Sequence, residues 1–233
     1  MSRKTLFVLV LILVPLLLIA FHLGWPFLQK QRTARLQTRA QKLLAQGELI
    51  DAELVLRKAL QLSPSDPELH FRLGKVLEKE GVLDQAREQY LEAGKAHKIP
   101  DALYNAGLTA FKLGDPAGAE KTFRENLASW PGHLPTLYQV GWIAARKGKC
   151  SEAVPYFQKI IAAAPSEAEA YNNLGYCYYT LGQLEPARDM FQKALELKPE
   201  FDSAKKSLET VEQDLAATPS EQPGATAPPP NPR

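Results

Sequence analysis

The sequence predicts an all-α protein in which five helix-turn-helix units stack into a solenoid behind an N-terminal transmembrane helix. Small and apolar residues recur at a period of about 34 positions, which is typical of helical repeat proteins. The periodic segments all follow the 3.6-residue spacing of helices, and none alternates as a strand does. An uncharged apolar run, Thr5 to Leu23, precedes the repeats, and about 20 such residues are enough to cross a bilayer.

The apolar run is predicted to be an uncleaved anchor within residues 1–28, followed by a short basic linker at residues 29–32. Two basic residues precede the run and Trp25 follows it, as in spans whose ends meet the polar interface. The alternative is a cleavable signal peptide cut after Ala20. The anchor is favoured because the run continues past Ala20 and offers a poor small-residue cleavage site.

The charges on the two sides of the run give opposing predictions of orientation. Arg3 and Lys4 favour a cytoplasmic N-terminus, whereas the larger basic group after the run favours cytoplasmic repeats. That larger group is Lys30, Arg32, Arg35, Arg39 and Lys42. Its last three members fit the solvated face of the first repeat helix, and bacterial envelope proteins of this layout commonly face the periplasm. We therefore expect a single-pass protein of the bacterial inner membrane with periplasmic repeats; cytoplasmic repeats are the alternative.

The repeats are predicted to fill residues 33–201 as five units. Their bounds are 33–66, 67–99, 100–133, 134–167 and 168–201. The last unit shows the pattern most fully, in Tyr171, Leu174, Gly175, Tyr178, Gly182, Ala187, Phe191, Ala194 and Pro199. The first unit has Arg39 where leucine is expected, and the second is one residue short and lacks the final proline.

Each recurring small residue has a structural task. A glycine inside a helix costs about 1 kcal/mol relative to alanine and is expected only where another helix comes close. These glycines are Gly74, Gly107, Gly141 and Gly175, and their predicted partners are Ala86, Ala119, Ala153 and Ala187 in the second helices. A later glycine in each unit is predicted to end the first helix in the left-handed conformation, and a proline to stop the second helix.

This series of aromatic, Leu-Gly, aromatic, Gly, Ala, Phe, Ala and Pro positions resembles the tetratricopeptide repeat (TPR), a helix-turn-helix unit. The resemblance covers residues 33–201 and is closest in residues 168–201. It implies a groove lined by first-helix residues that docks an extended or helical segment of a partner protein.

Carrying the TPR groove positions onto this sequence gives a candidate partner-binding surface. Its members are Phe71, Lys75, Glu78, Tyr104, Leu108, Phe111, Tyr138, Trp142, Arg146, Asn172, Tyr176 and Tyr179. The first unit offers only Gln37, Gln41 and Leu44 at the equivalent positions. Aromatic residues four apart share one helix face and are common binding hot spots. The alternative is that several of them pack between repeats. The Lys and Asn clamp of TPR domains that capture chaperone carboxyl termini is absent from these slots.

Beyond the repeats, residues 202–216 are predicted to form a capping helix, which a solenoid needs at its end. Residues 217–233 are rich in proline and alanine, have no hydrophobic periodicity and are predicted to be disordered. Cys150 and Cys177 are expected to be buried free thiols. A disulfide between them is the alternative if the domain is periplasmic.

Composition and motifs exclude several function classes. A formal net charge of +2 is too small to create a strong positive potential that would attract a polyanion. We therefore expect no nucleic-acid binding. The sequence has no phosphate-binding loop, paired-carboxylate motif or metal-ligand spacing, so we expect no enzymatic activity, no cofactor and no metal. The predicted function is a membrane-anchored TPR adaptor that binds a protein partner during assembly of an envelope complex. The alternative is a scaffold that self-associates without a peptide ligand.

Overall fold

The computed structural model describes the chain over residues 3–217, with side chains from residue 25 onward. This range contains eleven α-helices and no strand, which confirms the predicted all-α fold. The helices are α1 (Arg3–Gln46), α2 (Leu49–Leu62), α3 (Pro67–Lys79), α4 (Leu83–Gly94), α5 (Pro100–Lys112), α6 (Pro116–Ser129), α7 (Leu134–Arg146), α8 (Cys150–Ala163), α9 (Ala168–Thr180), α10 (Leu184–Leu197) and α11 (Asp202–Ala217). They divide into two compact units, one ending at Pro131 and one beginning at Gly132.

The first helix differs from the predicted arrangement because it contains no break. Residues 29–32, expected to form a linker, are helical and continue directly into the first repeat. Thr33 is buried, and its hydroxyl lies 3.1 Å from the hydroxyl of Ser63 at the end of α2. The helix is therefore already packed against the repeat one residue after the expected linker.

Two predicted segments lie outside the part of the chain with described side chains: the anchor at Thr5–Leu23 and most of the tail, residues 218–233. Across residues 25–217, no helix combines the length and the apolar character that crossing a bilayer requires.

A tight turn ends the first helix of every repeat, and each turn is centred on a left-handed glycine, as predicted. The five glycines are Gly47, Gly81, Gly114, Gly148 and Gly182, with φ between 73° and 81°. At the second turn, the Val82 amide donates to the Leu77 carbonyl at 2.9 Å, the bond that closes a Schellman motif. Side chains other than glycine rarely adopt this backbone conformation.

The second repeat is irregular where the sequence lacks the final proline. Helix α4 has 12 residues, whereas α2, α6, α8 and α10 have 14. The chain leaves α4 at Gly94 and passes through His97, whose φ of 49° is also left-handed. The His97 ring nitrogen Nδ1 lies 2.8 Å from Ser129 Oγ in α6, which fixes this loop against the next repeat.

The interior glycines of the first helices make the close approach that the sequence predicts, but the predicted partner is wrong. An aromatic ring of the second helix, and not an alanine, occupies the space that a Cβ atom would need. The four pairs are Gly74 with Tyr90, Gly107 with Phe123, Gly141 with Phe157 and Gly175 with Phe191. All four rings are buried. The alanines are buried as well, but a ring on the second helix, 16 residues after the glycine, reaches its backbone first.

We expect Gly107→Ala to lower the free energy of unfolding by about 1–3 kcal/mol, the range for overpacking. An added Cβ would lie 2.5 Å from Phe123 Cε1. The Phe123 ring cannot swing aside, because Tyr104 and Phe111 lie on it at centroid distances of 5.9 and 5.8 Å. Urea unfolding of the full chain, followed by circular dichroism, measures the change.

Gly141→Ala is the matched control, since its Cβ would lie 3.1 Å from Phe157 Cζ. The Cβ atom of Tyr156 would lie 3.2 Å away, so small shifts of both residues suffice, and the higher helix propensity of alanine, about 1 kcal/mol, offsets the strain. Equal stability of the two variants would contradict a tight contact at Gly107.

Candidate functional site

The structure places the predicted binding residues on two surfaces, one in each compact unit. The N-terminal first-helix face carries Phe71, Lys75, Tyr104, Leu108 and Phe111 on α3 and α5. The C-terminal first-helix face carries Tyr138, Trp142, Arg146, Asn172, Tyr176 and Tyr179 on α7 and α9. All of these side chains are exposed or half-buried, so each retains surface that a partner can reach.

Side-chain hydrogen bonds join consecutive first helices about one repeat apart. Lys112 Nζ on α5 donates to Glu78 Oε1 on α3 at 2.7 Å. In the other unit, Asn173 Nδ2 on α9 donates to the Tyr138 hydroxyl on α7 at 3.0 Å. The first helices within each unit therefore lie side by side, and their exposed residues form one surface per unit.

Several aromatic residues of both faces rest on core rings. Phe71 lies 5.8 Å from Tyr90, Tyr104 lies 5.9 Å from Phe123, and Tyr138 lies 6.2 Å from Phe157 in an edge-on arrangement. Contacts between rings at these distances are favourable. One side of each of these rings thus packs inside the repeat, while the remainder stays exposed.

The C-terminal face combines an aromatic platform with a cation. The Arg146 guanidinium lies 4.9 Å from the Trp142 ring centroid, which is a cation–π contact. One turn from the end of α9, Tyr176 is 47% exposed. Asn172 Oδ1 is shielded from solvent and accepts no hydrogen bond from any described residue. This face can therefore offer aromatic rings and a guanidinium to a ligand, whereas the Asn172 oxygen lies beneath its surface.

Tyr179 has a structural role that the sequence did not reveal. Its hydroxyl donates to Asp214 Oδ2 on α11 at 2.7 Å, and this bond raises the pKa of Tyr179. The two residues are 35 positions apart, like Tyr138 and Asn173. Helix α11 therefore stands where the first helix of a further repeat would stand, and Tyr179 holds it there.

Three residues of these surfaces were not predicted: Lys79, Lys112 and Asn173. Lys79 follows Lys75 by one helical turn, and this spacing could have identified it. Lys112 lies 34 positions, or one repeat, after Glu78, and this spacing could have identified it as a neighbour on the next first helix. Asn173 follows Asn172 directly, so its side chain is turned by about 100° around α9, and it was not among the family positions carried onto this sequence.

Glu78 is a half-buried charge on the N-terminal face. Burial disfavours its ionised form, but hydrogen bonds from Lys112 and from the Tyr90 hydroxyl outweigh burial and lower the pKa of Glu78. The Tyr90 hydroxyl lies 2.6 Å from Glu78 Oε2. Glu78 is therefore a carboxylate at neutral pH whose charge is already matched by Lys112.

The two cysteines lie beneath the C-terminal face and are buried, free thiols, as predicted. Burial, together with a hydrogen bond to Cys150, raises the pKa of Cys177 to about 12. A thiol that stays protonated is a poor nucleophile and a poor metal ligand. Within residues 25–217, no three His, Cys, Asp or Glu side chains are grouped to hold a metal ion.

The raised pKa of Cys177 makes stability depend on alkaline pH. The unfolded thiol ionises from about pH 9, whereas the folded thiol does not, so proton release favours the unfolded state above that pH. We expect the free energy of unfolding to fall by roughly 1 kcal/mol per pH unit above pH 9. Urea unfolding at pH 8 and pH 10 measures this. Cys177→Ala should flatten the slope over this interval, and an unchanged slope would show that another group is responsible.

Comparison with known proteins agrees with this architecture. Models described as tetratricopeptide repeat match residues 71–133 and 168–201, and one described as TPR repeat matches residues 40–81. Together they match more than half of the chain. The chain belongs to the tetratricopeptide repeat family. TPR proteins generally mediate protein–protein interactions, and the fold is typically a scaffold without catalytic activity.

Solved TPR structures share the fold. YrrB, described as a TPR protein with an unusual peptide-binding site, is 24% identical; the match covers 77% of this chain and 93% of YrrB, with a TM-score of 0.64. MamA is 22% identical, with 73% and 94% covered and a TM-score of 0.63. A TPR protein from Parabacteroides merdae is 20% identical, with 80% and 74% covered and a TM-score of 0.65. Such identities establish the fold alone. No curated protein matches the sequence.

Proposed function

We propose that the chain is a membrane-anchored TPR adaptor that captures a segment of a partner protein on its first-helix faces. The supporting observation is that half-buried aromatic residues of both faces are held in place from below by buried rings, as Phe71 is by Tyr90 and Tyr138 is by Phe157. Rigid aromatic side chains lose little conformational entropy on binding, which favours their use as anchors. A surface of this kind is suited to recognising a peptide segment and has no chemistry of its own.

The membrane attachment in this proposal comes from the apolar run at Thr5–Leu23 and its continuation into the first repeat. Because α1 has no break at residues 29–32, an anchored run would hold the repeats close to the bilayer. The proposed location is the bacterial inner membrane with the repeats in the periplasm, where an adaptor would serve assembly of an envelope complex.

Photo-crosslinking in native membranes tests partner capture. We expect p-benzoylphenylalanine at Tyr176 to give a specific crosslinked partner, because this position is exposed on α9. The same group at Gln192, exposed on the second helix α10, is the control and should not crosslink that protein. Trp142→Ala should then weaken binding of the identified partner by roughly 1–4 kcal/mol, as for a hot-spot aromatic residue.

Phe157→Ala distinguishes loss of binding from loss of folding. Phe157 is fully buried, so this substitution should reduce stability by roughly 3–5 kcal/mol, whereas Trp142→Ala should leave the melting temperature nearly unchanged. If Trp142→Ala unfolds the domain, the residue belongs to the core. If it folds and binds with full affinity, the partner uses another surface.

The proposed anchor and location are tested separately. We expect the full chain to resist carbonate extraction from bacterial membranes, and a variant lacking residues 1–24 to be released. A reporter that is active only in the periplasm, fused after Arg233, should be active. Recovery of a mature protein beginning near Phe21 would identify the run as a signal peptide, and activity of a cytoplasmic reporter alone would reverse the proposed orientation.

A further inference from the structure

A cavity of about 280 Å³ opens on the N-terminal first-helix face between α1 and α3. Leu44, Phe71 and Val76 contribute its apolar surface, and Val76 is almost fully buried. Lys75 and Lys79 contribute exposed ammonium groups at its edge. The cavity has room for one large apolar side chain, with two cations beside the entrance.

The charges around this cavity do not balance. The cations are Arg72, Lys75, Lys79 and Lys112, and the carboxylates are Glu68 and Glu78. Each carboxylate already has a close cationic partner: Arg72 Nε lies 2.6 Å from Glu68, and Lys112 Nζ lies 2.7 Å from Glu78. Lys75 lies over the Phe71 ring at 5.6 Å and also attracts the Glu78 carboxylate at longer range. Neither Lys75 nor Lys79 makes a direct ion pair in the described part of the chain.

The other wall of the cavity adds no negative charge. It is formed by Gln41 and Leu44 of α1, and the first 47 residues of the chain contain seven Lys or Arg and no Asp or Glu. Nothing on α1 can therefore neutralise the two lysines. Their spacing of one helical turn places the ammonium groups on the same side of α3.

We propose that this cavity binds an acidic segment of the partner protein. One apolar side chain enters between Leu44, Phe71 and Val76, and carboxylates flanking it in the segment pair with Lys75 and Lys79. The apolar surface of the cavity is suited to an apolar side chain, and the two lysines are suited to negative charge. An acidic peptide supplies both, which favours it as the ligand. This inference rests on the proposed capture of a peptide by the first-helix faces and specifies its chemistry.

A selection from a random peptide library tests the proposal without knowledge of the partner. The full chain in detergent micelles is offered 12-residue peptides that encode Asp, Glu, Lys and Arg equally. We expect enrichment of peptides with a large apolar residue flanked by Asp or Glu. Binding of an enriched peptide should weaken about tenfold or more in Lys75→Glu/Lys79→Glu, and should also weaken as the salt concentration rises.

Lys121→Glu/Lys159→Glu is the matched control. It changes the net charge equally at two exposed positions on the second helices α6 and α8, and should bind the peptide as the wild type does. Circular dichroism confirms that both variants fold. Enrichment of neutral or basic peptides, or equal affinity of the Lys75/Lys79 variant, overturns the acidic specificity and leaves peptide capture standing. Failure to enrich any peptide overturns peptide capture itself.

Discussion

The contact between an aromatic ring and a helical glycine determines the geometry of every well-formed repeat in this protein. In four successive repeats, the ring of the second helix lies against the first helix at the place where a Cβ atom would crowd it, most tightly at Gly107 and least at Gly141. Removing the side chain at one position allows the two helices to approach, and the large ring then fills the space between them. The distance between the two helices depends on both residues, because replacing either the glycine or the aromatic residue alone would alter it.

The same rings also support the surface that a partner would contact. Phe123 packs against Gly107 on one side and carries Tyr104 and Phe111 on its flanks. Phe157 has the equivalent position under Tyr138. Core packing and surface shape are therefore coupled in this fold: a change in the core ring moves the exposed ring that rests on it. Mutations that appear to act on recognition can consequently act through packing.

The repeat itself could be predicted from sequence because its marker residues have strong and local effects. Glycine permits a left-handed turn and a close approach to a helix backbone that a Cβ atom would disfavour. Its recurrence at fixed positions therefore marks these features. The contact partner of the interior glycine could not be predicted, since the alanine and the aromatic residue of the second helix are only four positions apart and both are buried. The length of the side chain decides which of the two contacts the glycine, and the spacing of the residues along the sequence does not show this.

For the candidate surface, the sequence likewise named residues but did not show which side chains contact one another. Family positions named residues that the structure leaves exposed or half-buried on the first helices. They did not show that the Tyr179 hydroxyl donates to Asp214 or that Lys79 lies beside Lys75 at the cavity. Both features depend on which neighbour a side chain meets across a helix pair. The basic linker was predicted because charge and the end of the apolar run coincide there. Helix formation by Lys, Gln and Arg is favourable, however, and the helix continues through them.

The continuity of α1 fixes a rotational phase as well as a distance. Each residue of an α-helix turns the chain by about 100° and advances it by about 1.5 Å. The hydrogen bond between Thr33 and Ser63 fixes the rotation of α1 relative to the first repeat. The number of residues between 25 and 33 therefore determines which side of the helix faces the repeats at residue 25. A single insertion there would leave every repeat contact intact and yet turn the repeats by more than a quarter of a circle about the helix axis. The length of this segment thus determines the direction in which each first-helix face points relative to the start of α1.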